Sequence, residues 1–126
     1  MREAFLARRI GSIEALLIAF DPDADYDSPN FLWFRERYPR FVYIDRIVVA
    51  PAHRGRGLAR RLYDDLFEEA RRRGHEQIVC KVNTEPPNPA SNAFHARLGF
   101  VEVGRAVIPG GAKAVRYLRR GLSGDP

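Results

Sequence analysis

The segment 47–59 combines residue types that could bind a phosphate group. An apolar, β-branched run is followed by small and basic residues, and an amphipathic helical pattern begins near Gly57. Gly55 and Gly57 leave the backbone open to a ligand, and the first amides of a helix have no carbonyl partners within it. Four arginines surround the turn: Arg54, Arg56, Arg60 and Arg61. The segment therefore predicts a strand, a turn and a helix N-terminus that bind a diphosphate.

The glycine spacing excludes two common phosphate-binding loops. No Lys-Ser or Lys-Thr pair follows the glycines, so the turn is not a P-loop, and Arg60 occupies the third glycine position of the dinucleotide-binding fingerprint. The alternative interpretation of this segment is an ordinary strand-to-helix connection with exposed arginines.

Apolar periodicity predicts the elements around this turn. Alternating runs predict strands, and apolar residues at every fourth position from Leu58 to Ala70 predict a helix. The strand, helix and strand over 41–83 have the length of a βαβ crossover, so we expect those two strands to be parallel. The predicted elements are strands 5–9 and 13–20, a short helix capped by Asn30, a strand at 41–49, a helix at 57–73, a strand at 77–83, a helix that begins at 88 and ends before Gly99, and strands 100–108 and 112–119.

The predicted strand at 41–49 carries a carboxylate in its middle. Regular alternation places four of its residues on one face of the sheet: Tyr43, Asp45, Ile47 and Val49. An acid at such a position either pairs with an adjacent strand or serves a ligand, and both hypotheses stay open.

The composition of the 126 residues is that of one globular domain, 1–126, with 45% hydrophobic residues. No apolar run approaches the ~20 residues of a membrane span, and the N-terminus lacks the apolar core of a signal peptide, so we expect a cytoplasmic protein without a membrane partner. Cys80 is the only cysteine, which excludes an internal disulfide and predicts a buried thiol. The net charge of +5 fits an anionic ligand or a nucleic acid, and charge alone does not choose between them.

Two spaced signatures resemble those of the GNAT superfamily of N-acetyltransferases. The first is an Arg/Gln-x-x-Gly-x-Gly/Ala loop, and the second is an Asn, a small residue and an aromatic residue before a Leu-Gly-Phe. The residues that match are Arg54, Gly57 and Ala59, followed by Asn88, Ser91, Phe94, Leu98, Gly99 and Phe100. The segments 43–49 and 86–100 further resemble an uncharacterised bacterial subgroup of that superfamily.

This resemblance implies a mixed α/β (α+β) fold. Its sheet is mostly antiparallel, with a central splayed pair of parallel strands and flanking helices. Members of the family normally begin with a further strand and one or two helices, which help to wall the acceptor site. The sequence begins at the first predicted hairpin, so we expect those N-terminal elements to be absent.

The resemblance also implies an activity, the transfer of an acetyl group from acetyl-CoA to an amine, with coenzyme A as the product. In the family the thioester arm lies between the splayed strands, and the loop holds the pyrophosphate. The residues expected to line the arm are Ile47, Val48 and Val49, and those expected at the pyrophosphate are Arg54, Gly55, Arg56, Gly57, Leu58 and Ala59, with Asn88 as a further cofactor contact. We expect no metal site.

Direct attack by an amine requires a general base and a general acid. In the family the acid is often a Tyr four residues before the Gly of Leu-Gly-Phe, and His95 occupies that position here. His95 could act only if it is protonated, and its alternative role is a buried side chain beside Phe94. Asp45 is the expected base, with water relayed through Tyr43 or Asn83 as the alternative.

Two other functions remain as hypotheses. The first is a non-catalytic module that binds acyl-CoA or a protein partner on the same fold. The second, a nucleic-acid binder, is not expected because it rests on charge alone. The final strands of this family often pair across dimers, so the resemblance allows a homodimer.

Overall fold

The computed structural model describes residues 6–10, 15–22, 28–50, 52, 57–84, 89–108 and 113–122. Within these ranges the chain forms a six-stranded sheet and three helices. The elements are β1 (Leu6–Ile10), β2 (Ala15–Phe20), α1 (Pro29–Arg35), β3 (Val42–Val49), α2 (Leu58–Arg72), β4 (Gln77–Asn83), α3 (Pro89–Arg97), β5 (Val101–Ile108) and β6 (Lys113–Gly121). The predicted order of elements is confirmed, although several ends differ by a few residues.

The strands are arranged in the order β1-β2-β3-β4-β6-β5. β1 and β2 form one antiparallel hairpin, β5 and β6 form another, and the β2/β3 and β4/β6 pairs are also antiparallel. β3 and β4, which α2 connects, are parallel. The expected mixed, mostly antiparallel sheet with one central parallel pair is therefore confirmed.

The parallel pair separates soon after it begins. Val42 pairs with Ile78 and Tyr43 pairs with Val79, and no later residues of β3 and β4 pair with each other. Both strands continue beyond this point, to Val49 and to 83. The splay that the family resemblance implied is therefore present, and it leaves a wedge between the two strands.

A β-bulge lies in β3 at the start of this wedge. Ile18 of β2 pairs with Arg46, whereas the next residue, Ala19, pairs with Ile44. Asp45 is therefore the extra residue of the bulge. A bulge leaves its extra residue outside the regular ladder and bends the strand.

The bulge overturns the expected alternation along β3. Ile47 and Val49 pack against the core beneath α2, but Tyr43 packs into the core on the opposite side of the sheet. An extra residue shifts the two-residue period by one, so residues before and after the bulge exchange faces. The prediction that Tyr43 shares a face with Ile47 and Val49 is wrong for this reason.

The two sides of the sheet bury different cores. On the helix face, α2 packs its apolar stripe on the strands, with Leu62 and Leu66 at 4% and 0% exposure. On the aromatic face, the short α1 packs Phe31 and Phe34 against Phe41, Tyr43 and Tyr117. The predicted stripe of α2 is confirmed, and the helix face is the side on which α2 lies over the wedge.

The start of α1 differs from its prediction. Ser28 occupies the N-cap position, and Pro29 is the first helical residue. Asn30, the predicted cap, instead accepts a hydrogen bond at its Oδ1 from the hydroxyl of Tyr117, at 2.9 Å. A tertiary partner on β6 therefore replaces the local capping role of this amide.

Within the described ranges, no helix is long and apolar enough to cross a bilayer. The longest of them, α2, has 15 residues and carries charged side chains along its outer face. The same residues contain no group of three His, Cys, Asp or Glu side chains placed to hold a metal ion.

Candidate active site

A cavity of about 250 Å³ opens on the helix face where β3 and β4 separate. β3 and β4 contribute side chains from both sides of the wedge, and α2 and α3 cover it. We call it the splay cavity, and its lining residues are Ile44, Asp45, Arg46, Ile47, Tyr63, Cys80, Lys81, Ser91 and His95. Two of the predicted catalytic residues, Asp45 and His95, therefore lie in one cavity.

His95 lines the splay cavity and is buried, with 6% of its surface exposed. Its Nδ1 lies 2.8 Å from the carbonyl oxygen of Ser91, and its Nε2 lies 2.8 Å from the hydroxyl of Tyr63. A carbonyl can only accept a hydrogen bond, so Nδ1 carries the proton. In the neutral ring Nε2 then accepts the hydrogen bond that Tyr63 donates.

The surroundings of His95 favour its neutral form. Burial lowers the pKa of His95, and the nearby Arg116 guanidinium lowers it further, against an opposing contribution from the hydrogen bond to Ser91. The ordinary pKa of histidine is about 6.5, so the ring is neutral at pH 7. The protonated general acid expected from the sequence is not the form that this environment holds.

Tyr63 is a residue whose role the sequence interpretation missed. It lies beside the apolar stripe of α2, and it is 1% exposed. Burial, with a smaller contribution from Cys80, raises the pKa of its phenol well above the ordinary range. The rings of Phe94 and Phe100 pack edge-on against Tyr63, at 5.2 and 6.2 Å. One signal was available in the sequence, since a buried tyrosine hydroxyl needs a hydrogen-bond partner.

The strand side of the cavity carries both charge signs. Asp45 is half-buried at the bulge of β3, and Lys81 lies opposite on β4. The Nζ of Lys81 donates a hydrogen bond to Oδ1 of Asn83 at 3.1 Å. Lys81 was missed by the sequence interpretation, and it places an ammonium group at the edge of the wedge.

Cys80 precedes Lys81 and faces the helix side of the sheet. It is free and 3% exposed, as the sequence predicted. Burial raises the pKa of its thiol to about 12. A thiol with such a pKa stays protonated near neutral pH and is a poor nucleophile.

Gly57 forms the start of α2 and has the backbone geometry of an open anion site. Its φ of 74° lies in the left-handed region, which glycine tolerates best. The amide of Arg61 donates to the carbonyl of Gly57 at 3.1 Å, so the amides of Leu58 to Arg60 form the first turn without partners inside the helix. A Cβ added at Gly57 would meet no atom of the described residues within 4 Å, so these residues leave the turn open to a ligand.

The remaining predicted cofactor residues differ in how they are placed. Ile47 and Val49 are half-buried on the helix face, and Val48 between them is 46% exposed. The Leu58 side chain is buried in the core, so Leu58 could offer a ligand only its backbone, and Ala59 beside it is half-buried. Four further predicted residues lie outside the described part of the chain: Arg54, Gly55, Arg56 and Asn88.

Tyr43 does not lie in the splay cavity. It is 1% exposed on the aromatic face, where its ring packs edge-on against Phe31 at a centroid distance of 5.8 Å. The bulge at Asp45 separates its side chain from the face that carries the cavity. The structure therefore does not bring Tyr43 together with Asp45 and His95.

A second, basic cavity of about 360 Å³ lies on the outer side of α2. Arg60, one of the arginines expected around the turn, lies here and is paired with Asp64 at 3.1 Å. Arg120 of β6 covers the ring of Phe67 at 4.5 Å. Burial and the neighbouring Arg71 and Arg60 lower the pKa of Arg120. The positive charge of Arg60, which the sequence interpretation assigned to the turn at Gly57, therefore lies at this second cavity.

Comparison with known proteins identifies the family. The model of the acetyltransferase (GNAT) family matches residues 15–100. The chain belongs to the GNAT family. The match extends from β2 to the end of the second signature, and it includes both strands of the splay and the helix between them.

Similar proteins carry acetyltransferase names. The chain is 39% identical over 61 residues to the L-methionine sulfoximine/L-methionine sulfone acetyltransferase of Salmonella typhimurium, a match over 48% of this chain and 34% of that protein. It is 38% identical over 94 residues to the N-alpha-acetyltransferase RimI of Mycobacterium tuberculosis, a match over 71% of this chain and 55% of that protein. The match thus spans about a third of the length of the first relative and just over half of the length of the second.

The fold is also found in solved structures. The yncA protein of Salmonella typhimurium, whose structure contains its cofactor acetyl-CoA, superposes with a TM-score of 0.64 at 25% identity. That superposition covers 91% of this chain and 61% of the other. The fold is therefore a shared architecture.

Proposed function

We propose that the protein is an N-acetyltransferase that moves the acetyl group of acetyl-CoA to an amine in the splay cavity. The observation that carries this proposal is the convergence of Asp45, Tyr63 and His95 on one cavity at the strand separation. The cavity lies between the strands that α2 connects, and the open turn at Gly57 begins that helix. Membership of the GNAT family agrees with this assignment.

The turn at Gly57 would hold the pyrophosphate of acetyl-CoA. Its support is the first turn of a 15-residue helix, where amides without partners inside the helix and the helix dipole favour negative charge. The pantetheine arm would then follow β3 along the wedge past Ile47, Val48 and Val49. Within the described strands β3 and β4 pair only at Val42 and Tyr43, so the wedge beyond them leaves room for the arm between the two strands. The structure of yncA contains its cofactor acetyl-CoA, which supports acetyl-CoA as the acetyl donor of this protein.

Asp45 would act as the base. An amine attacks a thioester only as the neutral form, and a positioned carboxylate can take the proton it loses. Asp45 lines the cavity from the bulge, a feature that re-aims a side chain next to active sites. The Lys81 ammonium on the opposite strand would stabilise the negative charge that develops on the carbonyl oxygen.

The names of the relatives suggest the first amines to test. One relative is named for methionine sulfoximine and methionine sulfone, and another for protein α-amines. The panel is therefore L-methionine sulfoximine, L-methionine sulfone and a short peptide with a free N-terminus.

The experiment measures thiol release from acetyl-CoA with each amine, with product mass as confirmation. We expect release that depends on an amine, and we expect Asp45→Asn to lower kcat by a factor of about 100 or more. Asp64→Asn is the matched control, because Asp64 lies on the outer side of α2. Binding of acetyl-CoA without release for any amine would contradict the enzyme and support the non-catalytic alternative.

A homodimer and a cytoplasmic location are further parts of the proposal. β5 is an edge strand of the described sheet, and its Val101 and Val107 are 56% and 73% exposed. Exposed apolar residues on an edge strand favour pairing with another copy. Sedimentation equilibrium of the purified chain tests the dimer. A protein that is still monomeric at about 100 µM would contradict it.

A further inference from the structure

The two ring nitrogens of His95 are both occupied. Nδ1–H donates to the carbonyl of Ser91, and Nε2 accepts from the hydroxyl of Tyr63, each at 2.8 Å. His95 therefore presents no N–H to the splay cavity. A proton could enter or leave its Nε2 only through the Tyr63 hydroxyl.

Tyr63 and His95 both line the splay cavity, and the Tyr63 hydroxyl occupies the Nε2 side of the imidazole ring. Its proton is directed at Nε2 of His95, and its oxygen retains lone pairs that can accept a hydrogen bond from a ligand. Three aromatic rings hold the phenol in place: Phe67, Phe94 and Phe100. The hydroxyl is therefore a fixed bridge and not a mobile surface group.

We propose that Tyr63 is a catalytic residue of the transfer reaction and that Tyr63 and His95 form a proton relay. Tyr63 contacts the reacting groups, and His95, which acts through Tyr63, holds the proton in transit. This inference rests on the proposed acetyltransferase activity. It gives a role to a hydroxyl that the amphipathic pattern of α2 assigns to the core.

The relay conserves every atom and proton of the transfer. The amine nitrogen bonds to the thioester carbonyl carbon, and the C–S bond later breaks, so that one proton must move in total from nitrogen to sulfur. Tyr63 takes a proton from the attacking nitrogen on its oxygen while its own proton passes to Nε2 of His95. The reverse movement delivers a proton to the departing thiolate and restores both residues. No other reactant is needed. In this scheme Asp45 takes the proton that makes the incoming ammonium neutral.

The electrostatics suit a carrier that holds the proton briefly. Burial and Arg116 lower the pKa of His95, so the imidazolium releases its proton readily, and the Ser91 carbonyl stabilises it while it exists. Burial raises the pKa of the Tyr63 phenol, so Tyr63 passes one proton as it receives another and does not persist as phenolate. Among the described residues, the other charged or titratable groups around the pair are Asp45, Arg46, Cys80, Lys81 and Arg116.

The first test is Tyr63→Phe, which keeps the ring and removes the hydroxyl. The assay follows thiol release from acetyl-CoA with whichever amine of the panel the wild-type protein uses fastest. We expect kcat to fall by a factor of about 100 or more, with KM for acetyl-CoA within a factor of about two because the ring still packs. Tyr117→Phe is the matched control, since it removes a buried phenol hydrogen bond on the aromatic face. We expect its kcat to stay within about twofold of wild type. Circular dichroism and thermal unfolding check the fold of each variant.

The second test is His95→Gln. The amide oxygen of glutamine can accept the Tyr63 hydrogen bond but cannot take up a proton, so the geometry is kept and the relay is lost. We expect a similar loss of kcat, and we expect the double variant with Tyr63→Phe to lose little more than either single variant. Wild-type kcat/KM should fall at acid pH as His95 becomes protonated, and His95→Gln should lack this dependence.

A third readout needs no activity. Long-range ¹H–¹⁵N spectra of the wild-type protein should find His95 protonated at Nδ1 and bare at Nε2 at pH 7.5. A proton at Nε2 would overturn the relay even if a variant failed to fold.

The relay and the proposed function fail in different ways. A wild-type protein that releases thiol, together with an equally active Tyr63→Phe, would overturn the relay and leave the acetyltransferase in place. A wild-type protein that releases no thiol with any amine of the panel would overturn the proposed function and the relay with it.

Discussion

The two faces of the sheet bury tyrosines in opposite ways. On the aromatic face, Tyr117 stacks on Trp33 at 4.2 Å, and its hydroxyl donates to Asn30, a group that does not titrate. On the helix face, Tyr63 is as deeply buried, but its hydroxyl meets His95 beside a cavity. The same residue type thus serves packing on one side and proton chemistry on the other. What the hydroxyl meets decides the role, and burial alone does not.

The backbone explains why the cavity lies on only one of these faces. β3 and β4 separate after Tyr43, and the bulge at Asp45 then changes which residues face the helices. Aromatic rings fill the opposite face with edge-on and stacked contacts. We expect changes on the aromatic face to alter stability and changes on the helix face to alter ligand chemistry.

The largest expected effect concerns the thiol of Cys80 on the helix face. A pKa raised to about 12 leaves little thiolate at pH 8, so reaction with a disulfide reagent should be about a thousandfold slower in the folded protein than in guanidinium chloride. Absorbance of the released reagent measures both rates. Rates within tenfold of each other would mean that the Cys80 thiol in the splay cavity is more accessible than the structure indicates.

Removal of a ring from the aromatic face should cost the most stability. Phe34 is 0% exposed and contacts the rings of Trp33, Phe41 and Tyr117. Phe34→Ala should lower the free energy of unfolding by about 3–5 kcal/mol, as measured by urea unfolding. The folded fraction should bind acetyl-CoA with unchanged affinity. A Kd for acetyl-CoA raised tenfold or more in the folded variant would break the division between the two faces.

Gly104 allows Trp33 to pack against β5. A Cβ at Gly104 would lie 2.4 Å from Cζ2 of Trp33, so the indole or the strand must move. Gly104→Ala should lower stability by about 1–3 kcal/mol and shift the fluorescence of the only tryptophan. Gly121→Ala is the control, because its Cβ would make only an ordinary contact, with Arg119 at 3.8 Å. Equal stability of the two variants would contradict this packing.

The smallest expected effect is the contribution of His95 to the pH dependence of stability. The pKa of His95 is lowered in the folded state, so between that value and about 6.5 the unfolded chain binds more protons. Stability should therefore be full above pH 6.5, fall as the pH decreases to the folded pKa, and then change no further through this group. Urea unfolding from pH 5 to pH 8 should find this fall weaker in His95→Gln. Parallel curves for the two proteins would contradict a buried, neutral His95.

Local sequence patterns predicted most of the fold. The stripe from Leu58 to Ala70 and the alternating strands depend on residues close together in the chain, and the structure contains them. The two spaced signatures predicted the family, which the match over residues 15–100 confirms. These features could be predicted because they do not depend on the register between distant strands.

The features that the sequence did not predict depend on distant partners. The bulge at Asp45 follows from the register of β2 against β3, so the pattern of β3 alone placed Tyr43 on the wrong face. The Tyr63 hydroxyl finds its partner 32 residues away on α3, and a hydrophobic pattern counts such a tyrosine as core. The cofactor residues of the turn and the role of Asp45 stay predictions.

The most direct test of the proposed site is acetyl-CoA binding by Gly57→Asp and Gly57→Asn, measured by thermal unfolding with and without the ligand and with ATP as the diphosphate control. Both side chains have almost the same shape and impose the same left-handed strain at φ 74°, so the variants differ mainly in charge. Wild type and Gly57→Asn should be stabilised by acetyl-CoA, by about 2.7 kcal/mol at 100 times Kd, and not by ATP. Gly57→Asp should fold but lose this shift. An undiminished shift in folded Gly57→Asp would place the pyrophosphate elsewhere and contradict the site.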